Sequence, residues 1–524
     1  MSDIHYEPLT FLDASFLALE TRSLHMHVAG VAIFDAGPLT TDSGGIAIDR
    51  IKAHINAKLQ YIPRYRQRIE WVPYDRRPVW VDDAAFNFDY HVRHTSLPRP
   101  GTEAQLKALA GRIMSTSLDR EKPLWELWVV EGLDQDRFAL IAKIHHCMID
   151  GLSGVALTTI LLDVIPDGEE PNSNQDSDGD GVINALDPDS DNDGLFDGTE
   201  LGLDCSNPAT DKSTKSCVPD GEIEDAPEWE ARPAPTSSQL AVAEAARATR
   251  RLIDKLGSLT DVIKDGKELS DRTLDKSAAA VSSLRSGWLT PSDRTPLNPD
   301  IGPNRRFDWT EMDLNEVKEI KNRLGGSLND TVLAITAGAV RSFLVDERGF
   351  DVSKSRFRAM IPVSTRASNQ RGALGNQVAM WLVELPLSEP EPAKRLALIR
   401  ERTSKLKETN QALGASTLVD LSSGTPITLL SMANRLAGPR LRPFNMTITN
   451  VPGPQFPMYL LESRMLANYP LVPLWAQHGV GVALFSYDGR LLWGVHADYD
   501  ALPDSDRFRT ALQTSFEELN SLSP

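Results

Sequence analysis

His145-His146-Cys147-Met148-Ile149-Asp150-Gly151 is the stretch on which the reading of this chain turns. Phe138 to Ile144, just before it, has the short apolar run of a buried strand, and Val155, Ile160 and Leu161 after it carry a helix signal. Reactive side chains at the carboxyl end of a strand open into the crevices where α/β folds bind ligands. Histidine takes up a proton near neutral pH and returns it later. Asp150, four residues beyond His146, can fix the loop or the ring by hydrogen bonding, and Gly151 permits a tight exit into the helix. A single histidine here would suggest a core residue beside a helix-capping Asp; the whole seven-residue arrangement favours catalysis. Cys147 raises the question of a thiol nucleophile. Adjacent strand residues point to opposite faces, so Cys147 is not expected to share a cavity with His146.

Outward from the motif, the pattern is α/β on both sides. In residues 1–166, Val28 to Phe34 and Leu127 to Glu131 read as strands. Asp49 to Leu59, with Asp49 as N-cap, and Gln105 to Leu118 read as helices. In residues 300–524, Leu314 to Leu324, Leu328 to Val345 and Asp504 to Leu519 have helical periodicity. Phe357 to Val363, Val378 to Leu385, Met446 to Val451, Val480 to Tyr487 and Leu491 to Ala497 read as strands, the last two joined by an Asp488-Gly489 turn. Between these blocks lie an acidic, loop-rich insert, 167–235, and an Ala-rich helical linker, 236–299. Strands mixed with helices argue for layered α/β units.

At 524 residues the chain is large enough for two to four domains. Its net charge of -18 is almost wholly local: Glu169 to Glu230 holds 12 Asp and 7 Glu against Lys212 and Lys215. The remainder is near neutral, which disfavours nucleic-acid binding because no basic surplus exists to neutralise phosphates. The longest apolar runs, such as Val332 to Val340, fall well short of a bilayer span. The N-terminus has no apolar segment of a secretory signal, and three cysteines do not make a disulfide framework. The expectation is a cytoplasmic protein.

Further motifs narrow the chemistry. Leu9-Thr10-Phe11-Leu12-Asp13-Ala14-Ser15-Phe16-Leu17, Pro123-Leu124-Trp125, Asn329-Asp330 followed by Val332-Leu333-Ala334, and Asn450-Val451-Pro452-Gly453-Pro454 occur in order around the histidine motif. In these the sequence resembles the wax ester synthase/diacylglycerol acyltransferase family, within the coenzyme-A-dependent acyltransferases that share an HHxxxDG motif. The resemblance implies two chloramphenicol-acetyltransferase-like subdomains, mixed sheets flanked by helices, with a tunnel between them where acyl-CoA meets diacylglycerol or a fatty alcohol. It implies His146 as general base, His145 in support, Asp150 holding the loop, and no acyl-enzyme. Asn329 is a candidate oxyanion donor and Asn450 an alternative one, while Gly151 and Trp125 are candidates at the substrate site; Ser327 or Asn329 could equally cap the helix, Asn450 could form the turn beside two prolines, and Trp125 could be core. No cofactor is required, and a peripheral membrane or lipid-droplet surface is the expected setting. The alternatives are a condensation-type or polyketide-ester acyltransferase of the same motif class, and a calcium-dependent binding protein with an inactive core.

The insert carries its own signal. Asp176, Asp178 and Asp180 open one loop; Asp189, Asp191 and Asp193 open a second, with Asp197 and Glu200 at its ninth and twelfth positions. Oxygen ligands on alternate residues suit Ca²⁺. With Cys205 and Cys217, the run resembles thrombospondin type-3 repeats more than an EF-hand, since no paired apolar helices flank it.

Overall fold

The computed structural model describes residues 5–73, 76–148, 161–163, 229–244, 246–247, 291–364, 378–413 and 442–522. The first half runs β1 (Glu7–Pro8), α1 (Phe11–Leu19), β2 (His27–Asp35), α2 (Ile48–Lys58), β3 (Gln67–Trp71), β4 (Pro78–Asp82), α3 (Phe88–His91), β5 (Val92–Ser96), α4 (Glu103–Met114), β6 (Trp125–Leu133) and β7 (Arg137–His145). The second runs β8 (Arg305–Asp313), α5 (Leu314–Leu324), α6 (Leu328–Ser342), β9 (Phe357–Ser364), β10 (Val378–Leu385), α7 (Pro392–Leu413), β11 (Met446–Val451), β12 (Tyr459–Leu460), β13 (Ser463–Leu471), β14 (Val480–Tyr487), β15 (Arg490–Asp498) and α8 (Ser505–Asn520).

Each half is built on a six-stranded mixed sheet. The first has the order β12-β13-β2-β7-β6-β5 and the second β10-β9-β11-β14-β15-β8; β1, β4 and β3 form a smaller third sheet. β7 lies between β2 and β6, and Phe138, Ala139 and Ile141 are fully buried. Burial on both faces explains a strand that reads as an almost continuous apolar run. β14 and β15 meet at Asp488 and Gly489, both at positive φ, as a two-residue hairpin turn requires.

Two strands cross between the halves, β12 and β13, with β12 at the sheet edge paired to β13. β13, from within the 300–524 segment, pairs antiparallel with β2, setting Tyr469 opposite Val31 and Ala467 opposite Ile33. The sequence gives little warning of this strand: Pro470 and a register shift between Met465 and Ala467 interrupt it, and proline demotes a strand reading. A second tie is α4 against β8. Gly111 lets the Arg305 carbonyl approach so closely that a Cβ there would sit 2.8 Å from its oxygen. Lys107 bonds Asp308 at 2.6 Å and lies over Trp309, whose ring stacks on Tyr469 of β13.

Local chemistry shifts several element boundaries. α2 starts at Ile48, with Ala47 in the capping position, so Asp49 falls in the first turn, where its charge still complements the helix N-terminus. α4 starts earlier than its apolar stripe, at Glu103, because Thr102 and Gln105 form a capping box, and it ends at Met114. α6 is capped by Ser327 and Asp330, not by Asn329. Residues Asp330 to Val340 of α6 are buried all round, which accounts for its composition. Together with the turn after it, Leu328–Glu347 is long and apolar enough to cross a bilayer, a length the separate apolar runs do not show, yet it packs against α7 and α8. Of the expected 236–299 linker, residues 237–244 are helical; most of the rest lies outside the described residues.

Candidate active site

β7 ends at His145, and the chain turns at once. Met148 N–H donates to the His145 carbonyl at 2.9 Å, and His146 N–H donates to Met26 O at 2.8 Å. Because the strand has ended, face alternation no longer separates His146 from Cys147. What disqualifies the thiol is burial, which pushes its pKa well above the ordinary value.

The His146 ring is half-buried and stacks on Phe16, with centroids 4.1 Å apart and planes 11° from parallel. Phe16 is placed by α1, whose N-cap, Thr10, accepts from Asp13 N–H at 3.1 Å. The N-terminal signature thus builds the platform under the histidine turn.

His145 points the other way, into the protein, and is fully buried. Its Nδ1 accepts from Cys147 N–H at 3.1 Å, so its proton sits on Nε2, which faces Glu20 Oε2 at 3.6 Å. Glu20 Oε1 lies 3.1 Å from His27 Nε2, and Oε2 takes Arg120 Nη2 at 2.7 Å. Burial alone would raise the Glu20 carboxyl, but the imidazole groups of His145 and His27 outweigh it and hold it far below the usual carboxylate range. Burial lowers both imidazoles in turn, His27 to about 3, against the pull of Glu20. At neutral pH the cluster is therefore one carboxylate answered by Arg120, with two neutral histidines.

This turn lies at the seam of the halves. Cys147, Phe16, Met26 and Leu124 of the first half share an apolar cluster with Met360 and Phe444 of the second. On the second half, Asn450 at the end of β11 donates Nδ2–H to Asn329 Oδ1 in the first turn of α6, at 2.7 Å. The two candidate oxyanion donors, 121 positions apart, thus form a pair. Gly453 of the same Asn450–Pro454 segment lets the chain press on β14: a Cβ there would run into the Phe485 ring and the Ser486 carbonyl.

Trp125 is 3% exposed, gives its indole N–H to Tyr65 O at 2.8 Å and stacks on His91, so its polar edge is satisfied inside the first half. Asp150 and Gly151 lie outside the described residues, as do Asp176, Asp178, Asp180, Asp189, Asp191, Asp193, Asp197, Glu200, Cys205 and Cys217. Among the described residues, no group of three or more His, Cys, Asp or Glu side chains is arranged to hold a metal ion. Glu20, Arg120 and His27 were not singled out by sequence. The available signal was an acidic residue closing the apolar run Phe16-Leu17-Ala18-Leu19, because a carboxylate so placed is rarely buried without partners.

Two mixed six-stranded sheets define a class of fold, and solved structures share it. A wax ester synthase/diacylglycerol acyltransferase from Marinobacter aquaeolei matches with a TM-score of 0.61 and 22% identity, covering 98% of each chain. The first condensation domain of the calcium-dependent antibiotic synthetase matches at 0.55 and 13%, covering 99% of this chain and 96% of that one. The family model of the wax ester synthase/diacylglycerol acyltransferase catalytic domain matches residues 9–191 and 216–332, and that of the C-terminal domain of the same family matches 374–520. The chain belongs to this family. The unmatched residues 192–215 fall inside the acidic insert, so the catalytic-domain match enters that insert from both sides. A probable diacylglycerol O-acyltransferase of Mycobacterium tuberculosis is 27% identical over 519 residues, covering 98% of this chain and 96% of that one.

Proposed function

We propose that the protein transfers a fatty acyl group from acyl-CoA to the hydroxyl of diacylglycerol, forming triacylglycerol, and to long-chain alcohols, forming wax esters. The observation that carries this reading is the match of both family domains across the chain, with His145 and His146 on a turn at the seam of the two halves.

In this reading His146 removes the proton of the acceptor hydroxyl as its oxygen attacks the thioester carbonyl. The tetrahedral intermediate collapses with cleavage of the C–S bond, and the imidazolium returns the proton to the CoA thiolate. No acyl-enzyme forms. Asn329 and Asn450 serve the developing oxyanion: Asn450 Nδ2 on Asn329 Oδ1 orients the Asn329 carboxamide, leaving its N–H groups to donate. The reaction needs no cofactor. Its lipid substrates imply work at a membrane or lipid-droplet surface facing the cytoplasm. The 176–200 loops are proposed to take Ca²⁺ where it is available.

The test is to incubate the purified protein with radiolabelled palmitoyl-CoA and either dioleoylglycerol or hexadecanol. Labelled triacylglycerol or hexadecyl palmitate is expected, and their ratio sets the acceptor preference. A protein that forms neither product while binding palmitoyl-CoA would defeat the reading.

A further inference from the structure

Behind the histidine turn lies a buried ionic cluster that the acyl-transfer step does not itself use. Glu20 closes α1; its side chain is 6% exposed and faces His27, His145 and Arg120. Buried carboxylates are rare unless they are held for a purpose. Arg120, which also donates to Leu17 O at 3.0 Å, supplies the counter-charge at the protein surface.

The geometry points to Glu20 as a positioning residue for acyl transfer, acting through the tautomer of His145. A neutral imidazole has one donor and one acceptor nitrogen. His145 Nδ1 accepts from Cys147 N–H, an arrangement open only to the tautomer that carries its proton on Nε2. That buried N–H lies 3.6 Å from Glu20 Oε2, longer than a hydrogen bond, so the carboxylate, which cannot donate, acts on it through its charge. The opposite tautomer would set N–H against N–H at Cys147 and leave Nε2 as an acceptor opposite an anion. Both penalties fall on the turn that carries His146, whose own N–H is fixed to Met26 O. α1 therefore supports both histidines at once, Phe16 beneath the ring of His146 and Glu20 behind His145.

The inference rests on acyl transfer at His146, and its test is a double-mutant cycle. Glu20→Gln keeps the shape but can donate as well as accept, so it no longer dictates the tautomer. It is expected to lower kcat by about 10²-fold, the order that a misplacement of about 1 Å costs, with KM for palmitoyl-CoA within twofold. His145→Asn offers an amide oxygen in place of Nδ1 and has no tautomer to select. Adding Glu20→Gln to His145→Asn should therefore cost less than threefold further. A merely structural Glu20 would damage both backgrounds equally, and additive losses would overturn the assignment, as would wild-type kcat in Glu20→Gln. Nitrogen-15 NMR of histidine-labelled wild type supplies an arm free of variants and of turnover. His145, identified by loss of its signals in His145→Asn, is expected as the Nε2–H form; the Nδ1–H form overturns the proposal even if Glu20→Gln fails to fold. Absence of turnover in the wild type would count against acyl transfer itself, while the NMR arm would still test the His145 tautomer on which the assignment of Glu20 depends.

Discussion

The two halves are each built on a six-stranded mixed sheet but carry different kinds of candidate groups. The first sheet delivers ionisable groups: His146 on a turn, and behind it His145, His27, Glu20 and Arg120. The second delivers neutral carboxamides, Asn329 and Asn450, from an apolar helix and a strand end. A group that must gain and lose a proton needs its loop held by partners of settled charge and tautomer. A group that only donates to a transient oxyanion serves best with no charge to titrate.

That contrast breaks most readily at the amide pair. Asn329→Ala and Asn450→Ala should each lower kcat by about 10²–10³-fold, as loss of an oxyanion donor does. Because the two side chains touch, the double variant should lose far less than the product of the single losses, measured by steady-state acyl transfer. Multiplicative losses would show that the amides act apart.

The contrast sharpens on acidification. Burial lowers His27 and His496 to about 3, and His91 and His478 to about 4. Native pKa values below the unfolded value near 6.5 mean that the unfolded chain binds more protons between them. The stability these groups contribute is complete above pH 6.5 and is lost as pH falls toward 3, by at most about 1.4 kcal/mol per pH unit for each. In the second half, His496→Asn keeps a donor for Val472 O while removing one titration. Its thermal midpoint should fall less steeply than that of the wild type between pH 6 and 4.

The smallest effect lies next to Asn329 in the chain. Asp330, which follows Asn329 in α6, is buried and accepts from Thr403 Oγ1 at 2.7 Å. Thr403→Val should cost about 1–3 kcal/mol by leaving that carboxylate short of a donor, seen as a lowered thermal midpoint. A matching loss of kcat would show that α6 sets the position of Asn329 as well as its own stability.

Much of the second half was legible because its strands are short, apolar and bounded by turn residues. The expected ranges 378–385, 446–451 and 480–487 coincide with β10, β11 and β14, and 314–324 with α5. β13 was not legible, since Pro470, Asn468 and Arg464 dilute its pattern and its partner is more than 400 positions away. Of the site, the histidines, the N-terminal signature and both asparagines stood out in sequence, but their grouping did not. The N-terminal signature stood out only as a motif; that it folds as α1, sets Phe16 on His146 and brings Glu20 behind His145 shows only in the tertiary structure.

The central claim is that the imidazole of His146 moves the proton that acyl transfer requires. Single-turnover transfer from palmitoyl-CoA to the acceptor that the wild type prefers, compared with His146→Ala, tests it most directly. A rate lowered by about 10²–10⁴-fold in a folded variant that still binds palmitoyl-CoA is the expected result; an unchanged rate would contradict it.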